Sequence, residues 1–378
     1  MQPVFKAMID GETIAAAIEA LESGWLGMGA TVAEFEAELA RFLELPDNRT
    51  VVAVNTGTSA LHLALLAAGV GPGDEVLTPA FNNLADMQAI LACGAEPVFV
   101  DVRLDDYGID VTGAELMIGS ATKAVLPLHY MGFPCDERVY EFAREYELRV
   151  VEDACHAIGT RRDNRLIGSE GDLQCFSFDP IKTMTCIDGG AVTCSREDAD
   201  KIRRARLLGV VQPRERQYLE VGRSLADGGF GGYDVVDDGY RYHLANLHAA
   251  IGLSQLKRLP EWIVNRRQIA RAYNVAFENL PIVTPEAELP QISMFGYAIR
   301  ALGGERDELR AHLWEHEIDS GVHWRPAHWL TRFRSCRGAE RLPVSDLLGS
   351  EIMTLPLWSE MDEEELACVV DAVWGFYG

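Results

Sequence analysis

Short apolar runs and helically spaced apolar positions take turns along this chain, and their alternation predicts its architecture. Val51–Val54, Glu75–Thr78, Pro97–Val102, Ala124–His129, Arg149–Glu152 and Cys175–Phe178 are apolar runs bounded by turn residues, the pattern of buried strands. Between them, apolar residues recur every three or four positions in Asp10–Ser23, Thr31–Leu43, Ala60–Ala68, Leu84–Cys93, Gly113–Gly119 and Asp136–Tyr146. Strand and helix in alternation define an α/β fold with a mostly parallel sheet flanked by helices. A long helical pattern, Leu244–Phe277, bent near Pro260, leads into a smaller C-terminal α/β domain. That domain takes a strand at Met294–Leu302 and helices at Glu308–Glu317 and Glu363–Trp374, with the boundary placed between 1–250 and 251–378. Val210–Asp238, rich in Gly, Arg and Asp, reads as a mobile loop. Gly69, Gly71 and Gly73 fall between a helix and a strand, the reverse of the order a dinucleotide-binding loop requires.

Charge and composition narrow the partners. The 378 residues carry a net charge of −24, which disfavours nucleic acid and anionic membranes. Four arginines nevertheless gather in Leu330–Arg341, at 332, 334, 337 and 341, either near an anionic ligand or on a solvated turn. The eight cysteines are scattered with no C-x-x-C pair, which argues against both zinc and a disulfide framework, and no metal is expected. Nothing resembles a signal peptide, and no apolar run approaches the roughly 18 residues of a membrane span, so the expected location is the cytoplasm.

The candidate chemistry sits in one stretch. Asp153 ends an apolar run, and Lys182 lies between a second run and the pair Gly189-Gly190. Functional groups gather at the ends of parallel strands, so this acid and this amine are expected to face one crevice. The flanks of Lys182, CFSF and TMTCIDGG, are a poor setting for a solvated charge. An amine and an acid so placed suit pyridoxal phosphate, whose aldehyde the lysine binds covalently while the acid keeps the ring nitrogen protonated. At Asn55–Ser59, small residues stand at a strand-to-helix turn. They can seat a phosphate on the helix N-terminus, or Thr58 or Ser59 can simply cap the helix.

Four segments, NTGTSA (55–60), GDEVLTP (73–79), EDACHAIG (152–159) and CFSFDPIKTMTCIDGG (175–190), resemble the DegT/DnrJ/EryC1/StrS family of pyridoxal-phosphate-dependent sugar aminotransferases, fold type I. The resemblance runs from about Gly24 to Val370. It implies that Lys182 bonds the cofactor and later carries a proton, that Asp153 pairs with the ring nitrogen and that His156 lies against the phenolic oxygen. It assigns Gly57, Thr58, Ser59 and Ser177 to the phosphate. Lysine at 182, rather than the histidine of some relatives, argues against a dehydratase.

Two positions depart from the family pattern. Asn83 stands where relatives stack an aromatic residue on the ring, so Phe81 or His129 supplies the cover or the pocket is built differently. Arg241 stands where many relatives reach the phosphate across a dimer interface with asparagine. Met28, in the link GWLGMG, and His323, Trp324, Arg325 and His328, in VHWRPAHW, match segments that face a sugar-nucleotide; a turn between helices and a Trp-rich core strand are the competing readings. The implied reaction moves an amino group from L-glutamate to a keto sugar on a nucleotide diphosphate, with 4-keto favoured over 3-keto, in a homodimer with shared active sites. A keto-inositol aminotransferase and a non-catalytic relative are the alternatives.

Overall fold

The computed structural model describes residues 1–211, 234–286 and 290–378. Most of the loop expected at Val210–Asp238 therefore lies outside the described residues. Seven strands form the main sheet: β1 (Arg49–Val54), β2 (Glu75–Pro79), β3 (Glu96–Val100), β4 (Thr122–Val125), β5 (Arg149–Asp153), β8 (Leu173–Ser177) and β9 (Gly190–Ser195). Their order is β1-β9-β8-β5-β4-β2-β3, parallel except for β9, which runs antiparallel to both neighbours. The short pairs β6/β7 (Arg161–Arg162, Arg165–Leu166) and β10/β11 (Val210–Val211, Asp234–Val235) lie outside it.

Period-two alternation explains why the strands are apolar throughout. In β1, Val52 and Val54 point into one core and Val51 and Ala53 into another. The first core lies under α3 (Gly57–Ala67), α4 (Leu84–Ala92) and α7 (Arg196–Ala205). The second lies under α2 (Ala30–Phe42) and the first half of the long helix Asn246–Phe277. With both faces covered, both are mostly apolar, and polar residues among them such as Glu152 and Gln174 are hydrogen-bonded. Gly252 lets the long helix approach closely, since a Cβ there would sit 2.8 Å from the Phe35 ring and 2.5 Å from Cys186 Sγ. Helices α1 (Gly11–Glu22), α5 (Val111–Leu116) and α6 (Arg138–Glu145) complete the periphery of this part.

The long helix continues unbroken through Pro260 and changes core on the way. Trp262 and Ile263 pack toward the main sheet, whereas Ile269, Tyr273 and Phe277 pack in a third core. That core is closed by the antiparallel sheet β12 (Ile282–Val283), β13 (Tyr297–Ala301) and β14 (Ile352–Leu355) and by helices Arg306–Glu315 and Glu363–Tyr377. β13 begins three residues later than its apolar pattern predicts. Before it, Phe295 N donates to Met131 O at 3.1 Å, and the fully buried Arg266 donates to the carbonyls of Met294 (2.8 Å) and Phe295. Those bonds replace a strand ladder. β4 likewise stops at Val125, and the chain continues to His129 on single bonds to its neighbours, Leu126 N to Leu77 O (2.7 Å) and His129 N to Asp153 O (3.0 Å).

Candidate active site

Asp153 and Ser177 end the adjacent parallel strands β5 and β8, where Asp153 is in register with Cys175. Beyond them the chain doubles back before returning as β9. Phe178 N to Gly189 O (2.9 Å) and Cys186 N to Phe178 O (3.0 Å) close this loop, and Lys182 N donates to Asp179 O at 3.0 Å. The loop carries Lys182 over the sheet edge, where amine and acid line one cavity of about 310 Å³. The same wall holds Gly57, Thr58, Asn83, His156 and Ser177.

One side of the cavity is the N-terminus of α3. Thr56 is the N-cap, its Oγ1 accepting from Ser59 N at 2.9 Å, while Thr56 N donates to Ser59 Oγ at 3.1 Å. The cap is thus Thr56, not Thr58 or Ser59, and the buried Ser59 hydroxyl is engaged in the capping box and with Asn55 Oδ1 (2.5 Å). Thr58 remains exposed at the cavity. Gly57 sits so close to β8 that a Cβ would lie 2.7 Å from Ser177 Cβ and 3.0 Å from its Oγ. A helix N-terminus, a serine hydroxyl and a position where only glycine fits are together the kind of site that can seat a phosphate.

At the other end, Asp153 is 3% exposed, and its Oδ1 accepts from Cys155 N at 2.8 Å. His156 is buried, and its Nδ1 accepts from Met131 N at 3.3 Å, so the neutral ring carries its hydrogen on Nε2. Burial first, then the Lys182 ammonium and the charges of His323 and His129, hold its pKa well below the usual histidine value. Its ring stacks on Phe295 (4.1 Å between centroids, 11° between planes), and Phe295 lies 4.6 Å from Lys182 Nζ. Behind Asp153, Glu152 is fully buried, and its Oε2 accepts from His129 (3.0 Å), Tyr140 (2.6 Å) and Gln174 (3.1 Å). Burial would raise its carboxyl, but His129, Arg162 and Tyr140 outweigh burial and keep it below the usual range.

Neither expected ring cover faces the cavity. Phe81 is buried against Tyr130 and Tyr107, and His129 is bound to Glu152 and to Cys135 N (3.0 Å). Asn83 caps α4, its Oδ1 accepting from Ala85 N at 2.9 Å, so its amide oxygen is committed to the helix. Asn83 and Ala85 line the same cavity as Asp153 and Cys155.

The remaining expected residues divide. His323 and Trp324 approach the site: Trp324 lies 5.9 Å from the His156 ring, and His323 Nδ1 bonds Thr354 Oγ1 at 2.8 Å. Burial, then Lys182 and Arg310, lower the His323 pKa to about 4. His328 instead bonds Asp346 at 2.8 Å, on the helix Pro343–Glu351, and Arg325 is exposed. Met28 is buried in the core against α2, and Arg241 is exposed beyond the end of β11; neither lines this cavity. Phe295 and Asp86, a buried acid of α4 treated below, were not singled out in the sequence. Asp86 carries a legible signal, an acid inside an otherwise apolar helical pattern. Phe295 carries none, since phenylalanine is what a core strand would hold anyway.

A sheet parallel but for one strand, with a lysine and a carboxylate lining one cavity beside a helix N-terminus, is the arrangement of pyridoxal-phosphate transferases of fold type I. The chain belongs to the DegT/DnrJ/EryC1/StrS aminotransferase family, whose model matches residues 7–374. It is 30% identical to the aminotransferase TlmJ from Streptoalloteichus hindustanus, with 99% of this chain and 98% of that one covered and a TM-score of 0.88. Against the sugar aminotransferase CalS13 from Micromonospora echinospora the values are 28% identity, 99% and 100% coverage and a TM-score of 0.86. Spr1654 from Streptococcus pneumoniae in its PLP-form matches at 26% identity, 98% and 97% coverage and a TM-score of 0.89. Pyridoxal phosphate is the cofactor of this family, and the donor set described above fits it.

Proposed function

We propose that this aminotransferase moves an amino group from L-glutamate to the keto group of a nucleotide-diphosphate-linked sugar, with a 4-keto sugar preferred to a 3-keto sugar. Lys182 and Asp153, lining one cavity with the N-terminus of α3, carry the reading. Pyridoxal phosphate, when bound, supplies an electron-withdrawing ring that stabilises negative charge at the donor Cα. Gly57, Thr58 and Ser177 hold its phosphate, Asp153 keeps its ring nitrogen protonated and His156 donates from Nε2 to its phenolic oxygen. Lys182 Nζ would anchor it covalently until the donor's own amine takes that place, and the amine so freed would then take the proton from the donor Cα. The neighbouring His323 and Trp324 support a substrate end with an aromatic plane, and the sugar aminotransferase CalS13 supports a sugar as acceptor.

The enzyme works as a homodimer, to which each partner lends Arg241 at the other's phosphate. Its exposure in the single chain supports that role, as does the outward apolar stripe Ile14, Ile18 and Leu21 of α1, which a second copy would cover. All eight cysteines are free, as suits a reducing cytoplasm. No helix among the described residues is long and apolar enough to cross a membrane.

The test is a panel of keto sugar-nucleotides, free keto-inositols and L-glutamate, with the aminated carbon read by NMR. Turnover of a 4-keto sugar-nucleotide supports the proposal. Turnover of free cyclitols alone overturns the substrate class, and no bleaching of the cofactor's visible band by any amino donor overturns the chemistry.

A further inference from the structure

Asp86 is the odd residue of α4. It stands in the first turn and is 0% exposed, in a helix whose other buried residues are Met87, Ala89 and Ile90. Asn82 Nδ2 donates to its Oδ2, but no donor among the described residues reaches its Oδ1. An ionised carboxylate with a dry, unmatched oxygen is among the costliest things a core can hold. The helix N-terminus favours a negative charge there, but that effect is small beside desolvation.

What faces Asp86 settles its state. Its neighbour is the carboxyl of Asp153; Lys182 and the thiol of Cys175 are the other titratable groups in range. Two acids this close do not both ionise, and they share one proton. Asp153 Oδ1 already accepts the backbone N–H of Cys155 at 2.8 Å, whereas Asp86 Oδ1 has no donor to accept from among the described residues. The proton therefore belongs on Asp86. Burial first, then Asp153, push the Asp86 carboxyl well above the usual carboxylate range, in agreement.

The geometry points to Asp86 as a neutral acid whose Oδ1 hydroxyl donates to the carboxylate of Asp153. The hydroxyl fills the one orphaned valence of Asp86 and fixes the orientation of Asp153. It thereby sets how firmly Asp153 holds a proton on the ring nitrogen of the cofactor. Asp86 is a positioning residue, acting through Asp153, and its role rests on the cofactor assignment but not on the identity of the sugar.

The test uses the full-length protein with Asp86→Asn, which keeps a neutral donor, and Asp86→Ala, which removes it. Binding of pyridoxal phosphate to the stripped protein is expected to weaken about tenfold or more in Asp86→Ala and to stay within about threefold of the parent in Asp86→Asn, as for other groups that orient a ligand's partner. The pH midpoint of the cofactor's visible band should move in the alanine variant and stay in the asparagine variant.

A second readout needs no cofactor. An acid whose native pKa is raised stabilises the fold below its unfolded value, and that contribution is lost as pH rises toward the native value. The stripped parent protein should therefore lose thermal stability relative to Asp86→Asn as pH is raised from about 4. A difference that is flat with pH, or that grows in the parent's favour, overturns the proposal. So does an asparagine variant that binds as poorly as alanine, or an alanine variant that binds as well as the parent. If Asp86→Ala does not fold, the asparagine comparison alone decides. Failure of every sugar substrate alongside normal cofactor binding would instead fault the proposed function.

Discussion

At the scale of single residues, the site is a set of side chains whose surroundings leave each one task. Lys182 has its backbone fixed by Asp179 and its amine beside Phe295, so replacing it removes chemistry rather than structure. Lys182→Ala should fold, bind the cofactor without the covalent visible band and lose at least about 10³-fold in turnover, checked by absorbance and glutamate-dependent assay. His323 predicts a pH effect. Its pKa falls from the ordinary value to about 4 in the native state. The contribution it makes is complete above about 6.5 and is lost as pH falls toward the native value, because the unfolded chain takes the proton first. His323→Asn should flatten that part of the acid limb in thermal melts of the apo-protein.

Lys182 and Asp153 were legible in the sequence because strand ends announce themselves and charged residues seldom sit among apolar runs. The real use of Asn83 was not, since cap geometry depends on where α4 starts. Which of the alternatives for the ring cover holds was not legible either. Phe81 and His129 are near in sequence or chemistry, but strand alternation and the Glu152 network turn them away from the cavity.

At the scale of elements, the sequence pattern predicted the six parallel strands and the long helix. It did not show β9, because Gly190–Ser195 follows a loop whose return direction no local pattern encodes. Nor did it show that Met294–Gly296 is irregular, since the bonds that hold it come from Arg266, far along the chain. Burial pushes the Arg266 pKa down to about 9, and the side chain is bound by carbonyl oxygens. Arg266→Met should leave both carbonyls unmatched and cost about 2–4 kcal/mol in denaturant melts. By freeing Phe295 from its place against His156, it should also raise the KM for the amino donor. A melt unchanged within error would show that the segment is held by its other contacts.

At the scale of the whole molecule, the proposed dimer is testable by mixing. Lys182→Ala and Arg241→Ala homodimers should each be impaired. Refolded together in equal amounts they should recover about a quarter of parental activity, since half the dimers are mixed and each mixed dimer has one intact site. No recovery in dimers shown to have exchanged would place Arg241 outside the partner's site.

The helix cap at Thr56 and the tight seat at Gly57 have a bearing on endurance. On the proposed function, whenever Lys182 is not bonded to the coenzyme, Gly57, Thr58, Ser177 and Asp153 would be the residues that keep it in place. Retention then depends on the amino end of α3, so protein incubated with glutamate alone should shed coenzyme into dialysis faster than resting protein. Inorganic phosphate in the buffer should hasten that leak by competing for the same amides.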